Sequence, residues 1–373
     1  IAYMAVGGYP DGISSQWLIP PAVFDSDYDI TRFRDVAVHV GLDTIGLAGG
    51  SIMEDFDGDG FQDVMTSSWG LRDQLRLFRS DGQGHFEDRT DAAGLSGQIG
   101  GINLTHGDYD NDGAPDVLVL RGGWLADQGL YPNSLLRNLG DGTFEDATAA
   151  SGLLSFHPTH TAAWGDFNND GFVDLFIGNE DWGTGSHPVQ LYQNNGDGTF
   201  TDRASEFGLG VLGVVKGSAW GDYNNDGSLD LYLVRMGPNL LYINNGDGTF
   251  SDATAESGVA DPGGGSTATA VDFDHDGDQD IYAQMGGAWL GDKFSDALFE
   301  NPGFANNWIV IKLVGQRSNR SAIGARIQLT IRENGTERSI YRHVNSGGSF
   351  GANPLRQSIG IGKARRIERV EGY

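Results

Sequence analysis

Short acidic segments recur along this chain, and the first of them reads DFDGDGFQDV from Asp55. It brings the four carboxylates of Asp55, Asp57, Asp59 and Asp63 into one short stretch. At a separation of about 5 Å, each like-charge pair costs roughly 1 to 3 kcal/mol, depending on the local dielectric constant. A divalent cation reverses this repulsion. Calcium fits the spacing best, because it accepts about six to eight oxygen ligands in a flexible geometry.

The same segment occurs five times. The later copies read DYDNDGAPDV, DFNNDGFVDL, DYNNDGSLDL and DFDHDGDQDI. We call the nine-residue cores aspartate loops one to five: residues 55–63, 108–116, 166–174, 222–230 and 272–280. Their regular spacing of roughly 50 to 60 residues indicates a repeat architecture.

We expect each aspartate loop to bind one calcium ion, which gives about five ions in the chain. Side-chain oxygens come from the first, third, fifth and ninth positions, the seventh position supplies its backbone carbonyl, and glycine at the sixth makes the turn. The predicted ligands are Asp55, Asp57, Asp59, Phe61 and Asp63; Asp108, Asp110, Asp112, Ala114 and Asp116; Asp166, Asn168, Asp170, Phe172 and Asp174; Asp222, Asn224, Asp226, Ser228 and Asp230; and Asp272, Asp274, Asp276, Asp278 and Asp280.

Two details of the aspartate loops qualify this prediction. An EF-hand would need glutamate at the twelfth position between two helices, and this chain has none there, so the loops are not EF-hands. Asparagine replaces aspartate at the third position in loops three and four, at Asn168 and Asn224. It keeps an oxygen but removes one charge, which predicts weaker calcium affinity in those two loops.

The segments between the aspartate loops predict four strands per repeat. Strand a ends at the loop, strand b begins at its last aspartate, strand c precedes an Asn/Gly/Asp turn, and strand d follows that turn. Strand d starts at Phe86, Phe144, Phe200 and Phe250 in the first four repeats. Four strands in about 50 residues form one blade of a β-propeller. The sequence therefore predicts an all-β fold, a β-propeller of five blades.

The fifth repeat lacks strand d, and a matching segment stands at the front of the chain. FRDVAVHVGL from Phe33 aligns with FSDATAESGV from Phe250. We expect residues 33–38 to pair as a strand with the blade that begins at Thr267. This pairing would close the ring and remove an exposed sheet edge.

These motifs carry a family resemblance. The D-x-[DN]-x-D-G-x-x-D loops between short strands resemble the FG-GAP/VCBS repeats of integrin alpha-subunit propellers and of many exported bacterial proteins. The tail NNWIVIKLVGQRSNRSAIGARIQLTI from Asn306 is similar to an ASPIC/UnbV domain, which follows such repeats in the cartilage acidic protein family. That domain would continue past Glu371, so we expect it to be incomplete or divergent here. Integrin propellers have seven blades, which is the alternative to five.

The resulting domain prediction has three parts: an N-terminal extension at residues 1–32, a calcium-binding β-propeller at 33–304, and a small C-terminal β domain at 305–373. Composition agrees with an exported protein. The chain has 51 acidic and 24 basic residues and no cysteine. It lacks the basic surface that nucleic-acid binding needs, and no apolar stretch is long enough to span a membrane. A chain that begins at Ile1 is compatible with removal of a leader.

Aromatic residues mark the opposite face of the predicted propeller. The b-to-c connections contain Trp69, Trp124, Trp182 and Trp289, and a neighbouring connection contains His157 and His160. Tryptophan rings beside carboxylates suit a glycan or protein ligand. An equally weighted alternative is that each tryptophan side chain only fills the gap between two blades and binds no ligand.

The function that follows is binding, adhesion or an extracellular matrix role, in an extracellular or periplasmic location where millimolar calcium fills even weak sites. Two alternatives remain open. One is a sugar-processing enzyme, similar to lyases or dehydratases, that uses the tryptophan and histidine face. The other is a structural subunit of a homo-oligomer or filament.

Overall fold

The computed structural model describes residues 12–18, 33–261, 264–286, 293–316, 320–345 and 352–373. The chain divides into two compact units, Ile1–His39 and Val40–Tyr373. A 3-10 turn spans Ser15–Trp17, and a short helix α1 spans Ala37–Val40. None of the helices in the described ranges is long and apolar enough to cross a membrane.

Five antiparallel sheets follow one another along the second unit. The first four contain four strands each, paired in sequence order, and the fifth contains three strands in the described part of the chain. The first two sheets comprise β1 Ala48–Glu54, β2 Asp63–Ser68, β3 Arg76–Ser80 and β4 Phe86–Asp88, and β5 Asn103–Gly107, β6 Asp116–Leu120, β7 Ser134–Asn138 and β8 Phe144–Asp146. The next two comprise β9 Thr159–Gly165, β10 Asp174–Asn179, β11 Gln190–Asn194 and β12 Phe200–Asp202, and β13 Val215–Gly221, β14 Asp230–Arg235, β15 Leu240–Asn244 and β16 Phe250–Asp252. The fifth comprises β17 Gly265–Val271, β18 Asp280–Met285 and β19 Ala297–Phe299.

The sheets are blades of a β-propeller fold, as the repeats predicted. Strands β1, β5, β9, β13 and β17 are the innermost strands, and each contacts the next in order. A 3-10 turn at Ala126–Gln128 and a helix α2 at Thr254–Ser257 lie in the connections. The predicted strand borders are confirmed: β2 begins at Asp63, and β4 begins at Phe86 after a glycine-containing turn.

The hydrophobic core lies between neighbouring blades. The cluster between the third and fourth blades includes Phe167, Trp220, Leu231 and Phe250, all buried. The rings of Phe167 and Trp220 stack with centroids 6.4 Å apart. Strands β9 and β13 are buried along their whole length, because each packs against a blade on either side. Burial of apolar surface between blades is therefore the main stabilising term.

The predicted closing strand is not present. Residues Phe33–Val36 have no regular secondary structure, and Ala37–Val40 is helical rather than extended. The alignment explains the error, because Ala37 aligns with Thr254, the first residue of the helix α2 that follows the short strand β16. The segment keeps this local helical turn, whereas a strand also needs a partner. The division of the chain at residues 32/33 and 304/305 stays a prediction.

The C-terminal domain is built from two further sheets. Strand β20 Asn307–Ile311 pairs with β23 Gln357–Gly362, and β21 Arg326–Glu333 pairs with both β22 Thr336–His343 and β24 Ile367–Gly372. These sheets enclose a separate apolar core of Ile327, Leu329, Ile331, Ile340 and Ile359. The small C-terminal β domain is therefore confirmed.

A repeated asparagine links each blade to the preceding one. The side-chain amide of Asn138 donates to the carbonyl of Phe56 at 2.9 Å, and that of Asn244 donates to the carbonyl of Phe167 at 2.8 Å. Asn194 and Asn301 make the same bond to Tyr109 and Tyr223. The acceptors are the second residues of the aspartate loops. These hydrogen bonds, which are buried at Asn138, Asn194 and Asn244, therefore fix loops one to four to the next blade.

We expect Asn244→Ala to destabilise the protein by about 1 to 3 kcal/mol, because it leaves the buried carbonyls of Phe167 and Leu229 without this donor. Asn245→Ala is the matched control, since its exposed side chain bonds only within its own hairpin. Urea unfolding in saturating calcium measures both. Equal free energies of unfolding for the two variants would show that the link contributes nothing.

Candidate metal centres

Each aspartate loop folds around its first carboxylate. In loop one, Asp55 accepts hydrogen bonds from the backbone N–H of Asp59 at 3.1 Å and of Gly60 at 2.8 Å. Gly60 has a φ of +92°, which side-chain-bearing residues rarely adopt. Phe61 N–H then donates to Asp59 at 2.9 Å. This tight turn gathers the side-chain oxygens on one side.

The other loops repeat this turn. The first carboxylate accepts the N–H of the sixth-position glycine in loops two, three and four at 2.8 to 3.0 Å. The fourth residue has a positive φ in loops two to five, at Asn111, Asn169, Asn225 and His275. The amides of Asn111, Asn169 and Asn225 each donate to the sixth-position carbonyl of the next loop at 3.0 to 3.1 Å. Loops two to five are therefore connected in series.

The structure brings predicted ligands together in three of the loops. One carboxylate oxygen from each of three residues lies within 4.8 Å of the others in the groups Asp55, Asp57 and Asp63; Asp108, Asp110 and Asp116; and Asp272, Asp274 and Asp276. In loop five, the ninth-position Asp280 is outside its group. Loops three and four have asparagine at the third position and only two carboxylates in the turn besides the ninth.

The donor atoms fit calcium. They are oxygens only, as hard divalent cations require. Two first-position oxygens, Oδ1 of Asp222 and Oδ1 of Asp272, are buried and have no hydrogen-bond partner in the described part of the chain. A buried carboxylate oxygen without a partner is costly unless a cation contacts it. Bound calcium would supply that neutralising charge, and the ligand set of these loops is suited to hold it.

The ninth-position aspartate has a second role that the sequence did not reveal. Both oxygens of Asp116 accept backbone N–H groups, from Tyr109 at 3.1 Å and from Asn138 at 2.9 Å. These donors belong to the loop and to the end of strand c. Asp63, Asp174, Asp230 and Asp280 make the same pair of bonds. The residue thus joins three segments of its blade whether or not it contacts an ion.

Burial changes the acidity of the loop carboxylates. Loss of solvent raises the pKa of Asp63 to about 6, of Asp116 to about 8 and of Asp166 to about 7. Burial likewise raises the pKa of Asp174 and Asp230 well above its ordinary value, and nearby loop carboxylates add to the effect. Without a cation, several loop carboxylates therefore retain protons near neutral pH. A divalent ion would displace those protons.

Two arginines on strand c were missed at the sequence level. Arg79 pairs with Asp57 and with Asp59 in loop one, and Arg137 pairs with Asp110 at 2.7 Å and with Asp112 at 3.4 Å in loop two. The equivalent residues in the third and fourth blades are Gln193 and Ile243. Arginine thus stands beside loops one and two, which have aspartate at the third position, whereas the fifth blade has Asp274 at the third position and Glu300 at the equivalent place on strand c. Arginine at the same place on strand c in the first two blades was therefore a sequence signal for an ion pair with the loop.

The arginine pattern changes the comparison between loops. Loops one and two each have four carboxylates and one guanidinium, whereas loops three and four each have three carboxylates and no strand-c arginine. Their net side-chain charge is therefore equal before contacts from the C-terminal domain are considered. The weaker affinity predicted for loops three and four stays a prediction, and charge alone no longer supports it.

The tryptophans at the opposite end of the strands lie across the borders between blades. Trp69 Nε1 donates to the Gly123 carbonyl at 3.2 Å. The Trp124 ring packs edge-on against His160, with centroids 4.8 Å apart, and beneath the Lys216 ammonium at 5.1 Å. About 40% of Trp69, Trp124 and Trp182 remains exposed. The side chains of Trp69 and Trp124 therefore fill gaps between blades and also present a surface. Trp289 lies outside the described residues.

His157 and His160 do not share one site. His160 Nδ1 lies 2.7 Å from Glu180, and both side chains are buried. Glu180 also accepts the Trp124 backbone N–H at 2.7 Å. His157 instead pairs with His187, with 2.9 Å between the two Nδ1 atoms. The sequence motif thus separates into a buried interblade contact and a second, more exposed histidine pair.

Comparisons with known proteins agree with this architecture. The sequence matches the FG-GAP-like repeat family over residues 55–119, 124–177, 166–233 and 222–283, and the ASPIC and UnbV family over residues 315–371. It is 33% identical to cartilage acidic protein 1 of Homo sapiens over 142 residues and 31% identical to that of Xenopus tropicalis over 141 residues. These alignments cover 38% and 37% of this chain but 20% of each relative. The chain thus spans about a fifth of the length of the curated relatives it matches.

Among solved structures, the chain is similar to the biofilm matrix protein Bap1 of V. cholerae. The two chains are 14% identical, with a TM-score of 0.43, and the match covers 86% of this chain and 54% of that one.

The raised pKa values predict how pH affects the cation-free protein. The folded state keeps protons that the unfolded chain releases near pH 4, so stability is lost as pH rises through about 6 to 8. Calcium displaces these protons and should abolish the loss. Urea midpoints between about pH 5 and pH 8, with chelator and with calcium, measure this effect. The same pH dependence under both conditions would contradict it.

Arg79→Gln should tighten calcium binding at loop one about fivefold. A unit positive charge about 6 Å from a divalent ion costs roughly 1 kcal/mol in water, and the variant removes that charge from Asp57 and Asp59. Arg89→Gln is the control, because the half-buried Arg89 pairs with Glu87 at 3.5 Å and, in the described part of the chain, with no loop carboxylate. Competition with a fluorescent chelator gives the affinities. Unchanged or weaker binding in Arg79→Gln would refute the charge argument.

Proposed function

Because the chain belongs to the FG-GAP-like repeat family and carries an ASPIC and UnbV domain, we propose that it is an exported β-propeller that binds calcium and recognises other molecules. Its role is that of an adhesion or extracellular matrix protein rather than an enzyme. The observation that carries this proposal is the recurrence of one oxygen-lined aspartate loop in all five blades.

Calcium supports this function by stabilising the fold. The loops contain the most crowded carboxylates of the blades, and interblade hydrogen bonds attach them to neighbouring blades. An ion that binds the folded loop and not the unfolded chain shifts the folding equilibrium by mass action. Millimolar calcium saturates even sites with dissociation constants of about 10⁻⁴ to 10⁻³ M. An extracellular or periplasmic location provides that concentration.

The ligand surface is the tryptophan face. Trp124 and Trp182 both lie beside Glu180, and Trp69 reaches the connection that carries Trp124. Their partly exposed rings therefore form a row across three blades. Aromatic rings stack on the apolar faces of sugars or anchor protein side chains, while carboxylates accept hydrogen bonds from hydroxyl groups. A glycan or a protein segment with exposed apolar groups is the expected class of ligand.

Direct measurement can test both halves of the proposal. Calorimetric titration of chelator-treated protein should show about five calcium ions per chain.

A glycan and matrix-protein array, probed in calcium, should give binding that the double variant Trp124→Ala/Trp182→Ala loses. Phe304→Ala is the control, because Phe304 is an exposed aromatic residue outside these connections. Circular dichroism checks the fold of each variant.

The outcomes separate clearly. Absence of calcium binding would end the proposal as a whole. Array binding that survives loss of both tryptophans would remove the ligand face, and new reducing ends or unsaturated sugars after incubation with polysaccharides would replace the binding role with catalysis.

A further inference from the structure

The C-terminal domain packs directly against aspartate loops three and four. Tyr341 N–H donates to the side chain of Asn169 at 3.0 Å, and Arg326 donates to the Gly171 carbonyl at 3.0 Å. Arg338 donates to the Asp226 carbonyl at 2.7 Å. Among the described residues, no hydrogen bond or ion pair joins loop one to this domain. Loops three and four therefore have contacts with the C-terminal domain that loop one lacks in the described part of the chain.

Loop four makes the densest of these contacts, and its first carboxylate is divided between two roles. Oδ2 of Asp222 accepts hydrogen bonds from Gly227 of its own loop at 3.0 Å, from Gly360 N–H at 2.9 Å and from Arg342 at 3.1 Å. Asp222 and Arg342 are both buried. Oδ1 of Asp222 is also buried and has no hydrogen-bond partner in the described ranges. One oxygen is thus held by the C-terminal domain, and the other remains available to an ion.

The same domain fixes the outer backbone of loop four. The carbonyl of Asn225 accepts the N–H of Gly362 at 3.0 Å, and the carbonyl of Asn224 accepts the side-chain amide of Asn306 at 2.9 Å. Arg342 also reaches the Gly227 carbonyl at 3.3 Å. The carbonyl of Ser228, which is the predicted ligand, takes no part in these bonds. The domain therefore holds the outside of the turn and makes no hydrogen bond to Oδ1 of Asp222 among the described residues.

We propose that the C-terminal domain forms the outer shell of the loop-four calcium site, so that calcium binding and docking of this domain stabilise each other. The inference rests on the proposed function, because it assumes that the loop binds calcium. Groups that orient metal ligands from outside change metal affinity by about 10- to 100-fold when they are lost. Linkage then requires calcium to tighten docking by the same factor.

The negative charge of loops three and four is large enough to balance both bound calcium and the guanidinium of Arg342. Arg342 contacts the oxygen of Asp222 that faces Gly360, so its guanidinium neutralises the outer side of that carboxylate. Loops three and four together contribute six carboxylates at their first, fifth and ninth positions. Two calcium ions and one guanidinium do not exceed that negative charge. Arg342 therefore supports the site instead of replacing the ion.

Gly360→Ala tests the coupling without changing any charge. A Cβ atom at Gly360 would lie 2.2 to 2.4 Å from the backbone of Asn225, so alanine must push the domain away from loop four. Gly372→Ala is the matched control in the same domain, because a Cβ atom there meets nothing within 4 Å. Calorimetric titration of the full chain should show one calcium site weakened about 10- to 100-fold in Gly360→Ala and none in Gly372→Ala.

Hydrogen exchange reads the reverse direction of the same coupling. Calcium should slow exchange of the Gly360 and Gly362 amides, which donate to Asp222 and Asn225. This effect should be lost in Asp226→Ala, which removes a predicted loop-four ligand. It should persist in Asp59→Ala, which removes the equivalent residue from loop one. This measurement also covers the case in which Gly360→Ala does not fold.

The results distinguish this inference from the function on which it rests. If the unmodified protein binds no calcium, the proposed function fails. If it binds calcium but Gly360→Ala matches it at every site, the coupling is refuted while the function stands. Equal calcium protection of Gly360 and Gly362 in Asp226→Ala and in the unmodified protein would also refute the coupling.

Discussion

The constraint behind this structure is the burial of a carboxylate in every blade. The ninth aspartate of each loop, such as Asp116, accepts backbone hydrogen bonds from two segments and is removed from solvent. These bonds set the position of strand b relative to strand c, and they place one more negative charge beside the crowded turn. Burial of that charge is costly unless protons or cations balance it. Calcium is the cation that fits the oxygen donors and their spacing.

The loops also transmit order between blades and domains. An asparagine at the end of strand c reaches back to the preceding loop, and an asparagine within the loop reaches forward to the next one. The C-terminal domain adds contacts to loops three and four, with Arg342 and Gly360 on a single carboxylate oxygen. An ion bound in one loop would therefore act on neighbouring loops as well as on its own turn.

Local features of the fold were predictable from the sequence, and distant contacts were not. Aspartate spacing and glycine turns specified the loops and strand borders, because both depend on residues close together in the chain. The strand expected at residues 33–38 was wrong, since its motif also encodes the helical turn seen at Ala37–Val40. Arg342 lies more than a hundred positions from Asp222, and no local pattern pairs them. Arg79 was within reach of sequence reasoning, because the same place on strand c is arginine in both of the first two blades.

Thermal unfolding as a function of free calcium tests the central claim most directly. The account predicts that the midpoint rises continuously with calcium over the micromolar to millimolar range, because several ions bind only the folded loops. Magnesium at the same ionic strength should raise it much less, since it demands a tighter octahedral geometry. A midpoint that is the same in chelator and in millimolar calcium would contradict the account.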